Sequence, residues 1–463
     1  MRKLLLPLAI VLVFALLLSA CGGGEEAAPT AGSPTVAAPT GPVSIDFWHS
    51  EVASNLEALG RLVARYNASQ DEVRVRVSYQ GNYDDAMAKL VSSLGTGEVP
   101  AVAFLGEGQA QRLIDSGAIA PVQDFIDRED HDLSDVDEQA IQCFTVQDKL
   151  WAMPFTTEVP LVYYNKIIFR EAGLDPERPP QDLEELWQYS QKIRKRDASG
   201  QVLRSGIAMD IGTWMEGVLR LHGDPLVDKG NGREGRATKV LFDNDTGRWF
   251  FQWWHDMVDQ GLAINVGRNP AYVEGFLAMA AGRAAMTFAW SGALRSVVDA
   301  LEAGVEGAEG VEIGVGAFPG APGSEGKTVL SCYGLWVIGR RPVEEQEAAW
   351  KFIKWLTEPE HQAEWFAGSG YLPVSRSSVE LPAARDIVGR YPHFQVALDL
   401  YLEAPATGAS LGALVGPNGE VREAIAQGVE QMLAGAKDPI QALEDAAARS
   451  DRAIEEYNER VGD

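Results

Sequence analysis

The stretch Leu150-Trp-Ala-Met-Pro-Phe-Thr-Thr-Glu-Val-Pro-Leu-Val-Tyr-Tyr-Asn-Lys166 decides the fold predicted for this chain. Pro154 and Pro160 each lack an N–H and fix φ, so the segment between them is predicted to be extended. The run Leu161–Tyr164 is apolar, β-branched and aromatic, which is typical of a buried strand. Such a stretch can cross between two lobes, and its Thr-Thr-Glu segment can offer hydrogen-bonding groups in an apolar cleft wall. On these residues alone, the alternative is an ordinary strand that is preceded by a polar segment.

Strands and amphipathic helices alternate before this stretch, with strands predicted at residues 43–48, 73–79 and 101–105. This order predicts a parallel α/β lobe, in which ligands bind beyond the carboxyl ends of the strands. Trp48, Tyr83 and Glu107 are expected at those ends. By the same rule, Trp290 and Ser291 follow a later predicted strand, and Tyr333 lies in another.

The length and charge of the chain limit what it can be. It has 463 residues, of which 46% are hydrophobic and 12 are tryptophan. Residues 43–463 form a longer stretch than a single hydrophobic core usually contains, so two lobes are expected. The net charge is −26, and it becomes −28 if the two positive charges of Arg2 and Lys3 are removed with a signal segment. Such a surface argues against nucleic acid or an anionic bilayer as a bound partner.

The N-terminus has the pattern of a secretory signal, because a basic start is followed by an apolar run from Leu4 to Leu18. Leu18-Ser-Ala-Cys21 resembles the lipobox of bacterial lipoproteins, which implies lipidation of Cys21. A plain signal peptide beside a stray cysteine is the alternative. Residues 22–42 contain almost no large apolar side chain and are predicted to form a flexible tether.

No enzyme or metal motif stands out in the sequence. The phosphate-binding loop Gly-x-x-x-x-Gly-Lys-Ser/Thr is absent, and the six histidines show no ligand spacing. No catalytic residue, cofactor or metal is therefore predicted. Cys143 and Cys332 are compatible with either a disulfide outside the cytosol or two buried thiols.

Several sequence strings carry a resemblance to a known family. Trp151-Ala-Met-Pro-Phe155 with Val162-Tyr-Tyr-Asn-Lys166 is similar to the hinge and strand of the extracellular solute-binding proteins of ABC importers, in their sugar-binding class. Four further strings occur in the same order and resemble the glycerol-3-phosphate-binding branch over nearly all of residues 43–463: Phe47-Trp-His-Ser50, Gly81-Asn-Tyr-Asp84, Ala172-Gly-Leu-Asp-Pro176 and Gly370-Tyr-Leu-Pro373.

The resemblance implies an α/β protein with the two-lobed periplasmic-binding-protein fold of type II. Each lobe is then a mainly parallel sheet flanked by helices and is discontinuous in sequence. The expected division is a signal peptide at 1–20, a lipid-anchored tether at 21–42, an N-terminal lobe from 43–155 and 317–371, and a C-terminal lobe from 156–316 and 372–463. The implied function is to capture a carbohydrate-like solute between the lobes and deliver it to the permease subunits in the membrane.

The resemblance also implies a ligand site. The family's pattern falls on Tyr83, Glu107, Ser291 and Tyr371, and our strand-end argument adds Trp48, Trp290 and Tyr333. Thr157 and Glu158 complete the predicted set from the crossover stretch. We expect a monomer outside the cytoplasm, periplasmic or on the outer face of the cell membrane, attached only through its N-terminal lipid.

The sequence departs from the glycerol-3-phosphate branch at its anion site. The relatives have a serine-rich stretch where this chain has Thr156-Thr-Glu158, and an arginine near Leu414, with Arg422 close by. A phosphate needs N–H donors, and a carboxylate at Glu158 would repel it. We therefore expect a neutral sugar, oligosaccharide or polyol, ahead of a cationic or zwitterionic solute. Glycerol-3-phosphate or a glycerophosphodiester is one alternative, and a secreted glycoside hydrolase using Glu107 and Glu158 is another.

Overall fold

The computed structural model describes residues 41–268, 272–304, 308, 311–324, 328–404 and 411–462. The predicted signal peptide, the lipidation site predicted at Cys21 and nearly all of the predicted tether lie outside the described residues. Residues Gly41–Asp463 form one compact unit. In the described part of the chain, no helix combines the length and the apolar character needed to cross a membrane.

Fifteen strands and eighteen helices occur in the described residues. In chain order, the strands are β1 (Val43–His49), β2 (Val73–Tyr79), β3 (Val102–Gly106), β4 (Ile119–Ala120), β5 (Thr145–Val146), β6 (Lys149–Leu150), β7 (Met153–Glu158), β8 (Pro160–Asn165), β9 (Lys195–Arg196), β10 (Val202–Ile211), β11 (Ala263–Arg268), β12 (Ala284–Trp290), β13 (Ile313–Ala317), β14 (Ser331–Ile338) and β15 (Leu372–Pro373). The helices are α1 (Ala53–Ser69), α2 (Tyr83–Ser93), α3 (Ala110–Asp115), α4 (Val122–Glu129), α5 (Glu138–Phe144), α6 (Lys166–Glu171), α7 (Leu183–Ile193), α8 (Trp214–His222), α9 (Asp228–Asn231), α10 (Asp245–Asp259), α11 (Tyr272–Ala280), α12 (Leu294–Glu302), α13 (Val343–Leu356), α14 (Pro359–Ser369), α15 (Pro382–Arg390), α16 (His393–Glu403), α17 (Asn418–Leu433) and α18 (Pro439–Val461).

Two larger sheets organise these elements. The first has the order β15-β7-β14-β3-β1-β2, with β4 paired to β14, and the second has the order β11-β10-β12-β8-β13, with β9 paired to β10. The pairings give five of the seven described strands of the first sheet one direction, with β14 and β15 opposed. In the second sheet β10, β11, β12 and β13 share a direction. Both sheets are therefore mixed: most strands of each share one direction, and antiparallel pairings outnumber parallel ones.

Alternation of side chains in β1 shows how the first core forms. Ile45, Phe47 and His49 point inward and are buried, because successive residues of a strand face opposite sides of a sheet. The Phe47 ring packs edge-on against Phe352 of α13, with ring centroids 5.5 Å apart. Helices α1, α2 and α13 thereby cover the first sheet.

The stretch around Pro160 joins the two sheets. β7 ends at Glu158 in the first sheet and β8 begins at Pro160 in the second, so Val159 alone links them. Pro160 is the first residue of its strand, where a missing N–H is tolerated. Pro154 is accommodated because the pairing of β7 with β14 shifts register beside it, between Tyr333 and Gly334.

The later changes of sheet differ from the predicted lobe boundaries at 316/317 and 371/372. Val329 still belongs to the core of the second sheet, and the first sheet resumes at β14. β15 pairs within the first sheet, and α15 and α16 pack into the apolar cluster that contains β1. These two helices pack there through their apolar faces, which are formed by Ala384, Ile387, Phe394, Ala397, Leu398 and Tyr401. The lobe boundaries themselves stay a prediction.

The two cysteines whose state was left open are joined. Cys143 of α5 and Cys332 of β14 form a disulfide across 189 residues of sequence, with their Cα atoms 6.3 Å apart. Both residues are fully buried. The bond ties α5 to the strand that also carries Ser331 and Tyr333 into the cavity described next.

Candidate functional site

A cavity of about 750 Å³ lies between elements of the two sheets. Four of its polar or aromatic side chains stand at or just beyond the carboxyl ends of parallel strands. Glu51 follows β1, Glu107 follows β3, Asp210 lies near the end of β10, and Trp290 ends β12. Open α/β sheets place ligands at these ends, and a volume of this size suits a small organic solute.

The first group in the cavity is a tyrosine–glutamate cluster formed by Glu51, Tyr83, Glu158, Tyr333 and Tyr371. The Tyr83 hydroxyl donates to Oε1 of Glu51 at 2.6 Å, and the Tyr333 hydroxyl donates to Oε1 of Glu158 at 2.8 Å. The Tyr83 and Tyr371 hydroxyl oxygens are 3.3 Å apart, and the Tyr83 and Tyr333 ring centroids are 4.9 Å apart. Hydroxyls and carboxylates of the first sheet thus converge on one end of the cavity.

Burial changes the acidity of both carboxyl groups in this cluster. Burial raises the pKa of Glu51 to about 7, although hydrogen bonds from Tyr83 and Asn55 oppose the change. Burial also raises the pKa of Glu158 to about 8, opposed by the Tyr333 hydroxyl and reinforced by the nearby charge of Glu51. Both groups therefore hold protons near neutral pH when the cavity contains no solute.

The second group is a tryptophan platform formed by Asp210, Trp214 and Trp290 on the second sheet. The two indole rings are stacked, with centroids 6.3 Å apart and planes 19° apart. The Trp214 Nε1–H donates to Oδ1 of Asp210 at 2.7 Å. Burial raises the pKa of Asp210 to about 6, an effect that this hydrogen bond opposes. The platform offers flat apolar surface beside a hydrogen-bond acceptor.

The third group is an arginine–glutamate cluster formed by Glu107, Glu216, Arg220 and Arg422. Arg422 donates to both carboxylate oxygens of Glu216, from Nε at 2.8 Å and from a terminal nitrogen at 2.9 Å. Arg220 donates to the backbone carbonyl of Leu330. Burial raises the pKa of Glu107, while the positive charge of Arg220 is the largest opposing influence. The cations of this cluster are thus already engaged by protein groups.

The approach of residue 412 to Glu107 requires glycine. A Cβ at Gly412 would lie 2.3 Å from Oε1 of Glu107, far inside contact distance. The backbone N–H of Gly412 lowers the pKa of the Glu107 carboxyl, against the effect of burial. Behind it, Arg233 donates to the carbonyl of Gly412 at 2.9 Å. The main chain at Gly412 therefore lies against the Glu107 side chain.

Six of the nine predicted ligand residues line the cavity, namely Tyr83, Glu107, Glu158, Trp290, Tyr333 and Tyr371. Trp48, Thr157 and Ser291 are not among the lining residues. Trp48 alternates with the inward-facing Phe47 and His49, and Thr157 is fully buried beside Glu158. The binding role of all nine residues stays a prediction.

Ser291 does not line the cavity but holds the residue that links the two sheets. Its hydroxyl accepts a hydrogen bond from the N–H of Val159 at 3.3 Å, and its own N–H donates to the carbonyl of Val159 at 2.8 Å. Both backbone groups of the residue that joins the sheets are therefore held by the residue after β12. Ser291 is fully buried.

Glu51, Asp210, Trp214, Glu216 and Arg220 are among the lining residues that were not predicted from the sequence. A signal existed for Glu51 and Asp210, since both lie where their strands end. The signal for Glu51 was missed because the predicted strand ends at residue 48, one residue before β1 ends at His49. Trp214, Glu216 and Arg220 lie on α8, and no signal distinguished that helix from the other amphipathic helices.

One group of three side chains has the separation of metal ligands in the described residues: Glu107, Cys143 and Cys332, whose ligand atoms lie within 4.8 Å of one another. The two cysteines form the disulfide and offer no thiolate. Metal binding by cysteine needs the thiolate, so these residues do not fit a metal site.

Comparison with known proteins identifies the family. The sequence profile described as bacterial extracellular solute-binding protein matches residues 61–395. The chain belongs to this family. The resemblance and the two-lobed α/β fold expected from the sequence are thereby confirmed.

Individual relatives agree with this identification. The solute-binding protein is 27% identical over 424 residues to the sn-glycerol-3-phosphate-binding periplasmic protein UgpB of Pectobacterium atrosepticum, covering 90% of this chain and 92% of the relative. Its fold matches UgpB from Mycobacterium tuberculosis in complex with glycerophosphocholine, with a TM-score of 0.75, 20% identity and coverage of 90% and 99%. It also matches the GacH receptor of Streptomyces glaucescens, solved without ligand and with acarbose, with a TM-score of 0.73, 19% identity and the same coverage.

Proposed function

We propose that this protein captures a carbohydrate-like solute, which is a sugar, oligosaccharide or polyol, and delivers it to the membrane subunits of an ABC importer. The lining of the cavity carries the proposal. The tryptophan platform offers flat faces that suit the C–H surfaces of pyranose rings, and the carboxyl groups opposite can accept hydrogen bonds from sugar hydroxyls. Similar folds have been solved with acarbose and with glycerophosphocholine.

The setting that we propose follows from the N-terminal sequence. The mature protein is a monomer held outside the cytoplasm by lipid on Cys21, and it meets the membrane only through that lipid and through the permease. It needs no cofactor, because ATP hydrolysis belongs to the partner subunits of the importer. Closure on the solute follows when the solute contacts both sheets and so favours the closed state by its differential affinity.

Glycerol-3-phosphate or a glycerophosphodiester is the second candidate, since UgpB of Pectobacterium atrosepticum binds the former. Arg220 and Arg422 line the cavity, and a guanidinium is a good partner for phosphate. Arg422, however, is paired through two hydrogen bonds with Glu216. A phosphate would have to displace that carboxylate and lie among further acids, so we favour a solute without phosphate.

A glycoside hydrolase is the rival from another class, because Glu107 and Glu158 both line the cavity. Family membership supports binding without turnover. Aryl glycosides provide the test: we expect no hydrolysis above background. Hydrolysis that disappears in Glu107→Gln or Glu158→Gln would replace binding by catalysis as the function.

Thermal unfolding against a solute panel tests the proposed function. Monosaccharides, oligosaccharides, polyols, glycerol-3-phosphate and glycerophosphodiesters are added to the purified protein. A solute at about 100 times its dissociation constant stabilises the folded state by roughly 2.7 kcal/mol, which raises Tm by a measurable amount. A shift with a carbohydrate and none with the phosphates supports the proposal. A shift with the phosphates alone would favour the second candidate.

A further inference from the structure

We propose that the tyrosine–glutamate cluster binds a primary ammonium group, so that the preferred solutes are amino sugars or amine-bearing polyols rather than neutral sugars. The inference rests on the proposed function, because it names the class of carbohydrate that the same cavity selects. The distribution of charge along the cavity wall supports this site.

Acids outnumber bases among the lining residues that the structure describes. The acids are Glu51, Asp84, Glu107, Glu158, Asp210 and Glu216, and the bases are Arg220 and Arg422. Arg422 is paired with Glu216, and the positive charge of Arg220 faces Glu107 and Glu216. The positive charge of the cavity wall is therefore concentrated at the arginine–glutamate cluster, whereas Glu51 and Glu158 are close to each other and bonded to tyrosines.

The hydrogen-bonding groups of the tyrosine–glutamate cluster match an ammonium. Each carboxylate has lone pairs beyond the one used by its tyrosine, and the hydroxyls of Tyr83 and Tyr371 meet at 3.3 Å. A primary ammonium brings three N–H donors and a positive charge, whereas a sugar hydroxyl brings one donor and no charge. Bonds to a charged donor are roughly twice as strong as neutral ones.

The same geometry disfavours a quaternary ammonium group. Such a cation has no N–H and is held by the faces of aromatic rings. Here the tyrosines converge through their hydroxyls, and the Tyr333 and Tyr371 rings are edge to face at 73°. The acceptor oxygens would remain without a donor, which is costly for buried groups.

Burial of two neighbouring acids gives the proposal a measurable consequence. Glu51 and Glu158 are 3% and 5% exposed, and their pKa values of about 7 and about 8 keep them largely protonated at pH 6. The groups around them are the three tyrosines of the cluster, Asn55 and Tyr163. The Glu51 backbone N–H donates to Nδ1 of His49, and burial lowers the pKa of His49 to about 4, so this imidazole is neutral. An ammonium favours the carboxylate forms, and its binding must therefore release protons.

Isothermal titration calorimetry with matched sugars provides the experiment. Glucose, glucosamine, N-acetylglucosamine and glucose-6-phosphate form one set, and the galacto, manno and β-1,4-disaccharide counterparts form others. The purified protein is titrated at pH 6 in two buffers of different ionisation enthalpy. We expect the amine to bind roughly 10- to 100-fold more tightly than its neutral and N-acetyl counterparts, with proton release for the amine alone.

Two variants and a control locate the effect. Glu51→Gln and Glu158→Gln keep the shape of the side chain and remove its charge, so each is expected to abolish the preference for the amine and reduce proton release. Urea unfolding of each variant without ligand reports whether the fold is intact. Glu98→Gln, at an exposed turn, serves as a matched control and keeps the preference of the natural protein.

Each result decides between the two proposals. A neutral sugar that binds as tightly as its amine, or an amine preference that persists in both glutamine variants, overturns the ammonium site and leaves carbohydrate capture standing. Preference for glucose-6-phosphate overturns it as well. Binding of no member of any set, by a protein with an unchanged unfolding transition, overturns carbohydrate capture and the ammonium site together.

Discussion

Replacement of Glu216 by glutamine tests whether an internal ion pair keeps phosphate out of the cavity. Arg422 and Glu216 are joined by two hydrogen bonds of 2.8 and 2.9 Å, and their side chains are 34% and 14% exposed. In the natural protein a phosphate must displace the Glu216 carboxylate before it can use the guanidinium. In Glu216→Gln the guanidinium keeps a neutral neighbour and becomes available to an anion.

The magnitude follows from the geometry of the pair. Two unit charges about 4 Å apart interact by about 4 kcal/mol at the effective dielectric constant of roughly 20 that applies near a protein surface. This energy corresponds to about a thousandfold in affinity. Because a third of the Arg422 side chain is exposed, solvent screening reduces the effect. We therefore expect Glu216→Gln to bind glycerol-3-phosphate roughly 30- to 300-fold more tightly than the natural protein.

Calorimetric titration with glycerol-3-phosphate measures this gain, and urea unfolding without ligand measures the stability of each variant. Glu420→Gln removes a more exposed carboxylate that is paired with Arg112, and it is expected to leave phosphate affinity unchanged. The double variant with Arg422→Gln should lose the gain. Micromolar binding of glycerol-3-phosphate by the natural protein, or no gain in a stably folded Glu216→Gln, would refute the reasoning.

Three further predictions concern the platform, the disulfide and the cluster at the sheet junction. Trp290→Ala removes the partly exposed face of the platform next to Trp214 and should weaken carbohydrate affinity by about 2 kcal/mol, or roughly 30-fold, in a titration. Reduction of the Cys143–Cys332 disulfide releases a loop of 189 residues. The chain-entropy model gives this cross-link a stabilising free energy of about 5 kcal/mol, so Tm should fall by several degrees. Equal Tm values with and without reductant would contradict this. Burial raises the pKa of Glu158 from 4.5 to about 8, so the folded state holds this proton more tightly and stability falls as pH rises between those values, by up to about 1.4 kcal/mol per pH unit. Urea unfolding from pH 5 to 8 should show a smaller fall in Glu158→Gln, and parallel pH curves would exclude Glu158 as its source.

The sequence predicted the elements that place the site better than it predicted which side chains enter it. The rule that ligands lie at strand ends identified Tyr83, Glu107 and Trp290, all of which line the cavity. The rule predicted Trp48 at the end of β1, whereas the residue that lines the cavity there is Glu51, three residues later. Alternate residues of a strand face opposite sides of the sheet, so a small error in the strand end transfers the prediction to the wrong face.

Pairings between distant residues could not be predicted from the sequence. Arg422 was recognised as a potential phosphate donor, but its partner Glu216 lies 206 residues away and carries no motif. The same holds for the packing of α15 and α16, since their apolar stripes would suit either core. Only the assembled structure shows which surface covers each stripe and which carboxylate takes each arginine.

The position of Glu158 connects solute contact with the junction of the sheets. Glu158 ends β7 in the tyrosine–glutamate cluster, and the next residue, Val159, is the whole link to β8. Both backbone groups of Val159 are hydrogen-bonded to Ser291, and the Tyr333 hydroxyl donates to the Glu158 carboxylate. A solute that changes the charge or hydrogen bonding of Glu158 therefore acts one residue from the link. If the protein closes on its solute as proposed above, contact with Glu158 acts one residue from the link between the sheets, and the solute favours the closed state only by its differential affinity for the two states.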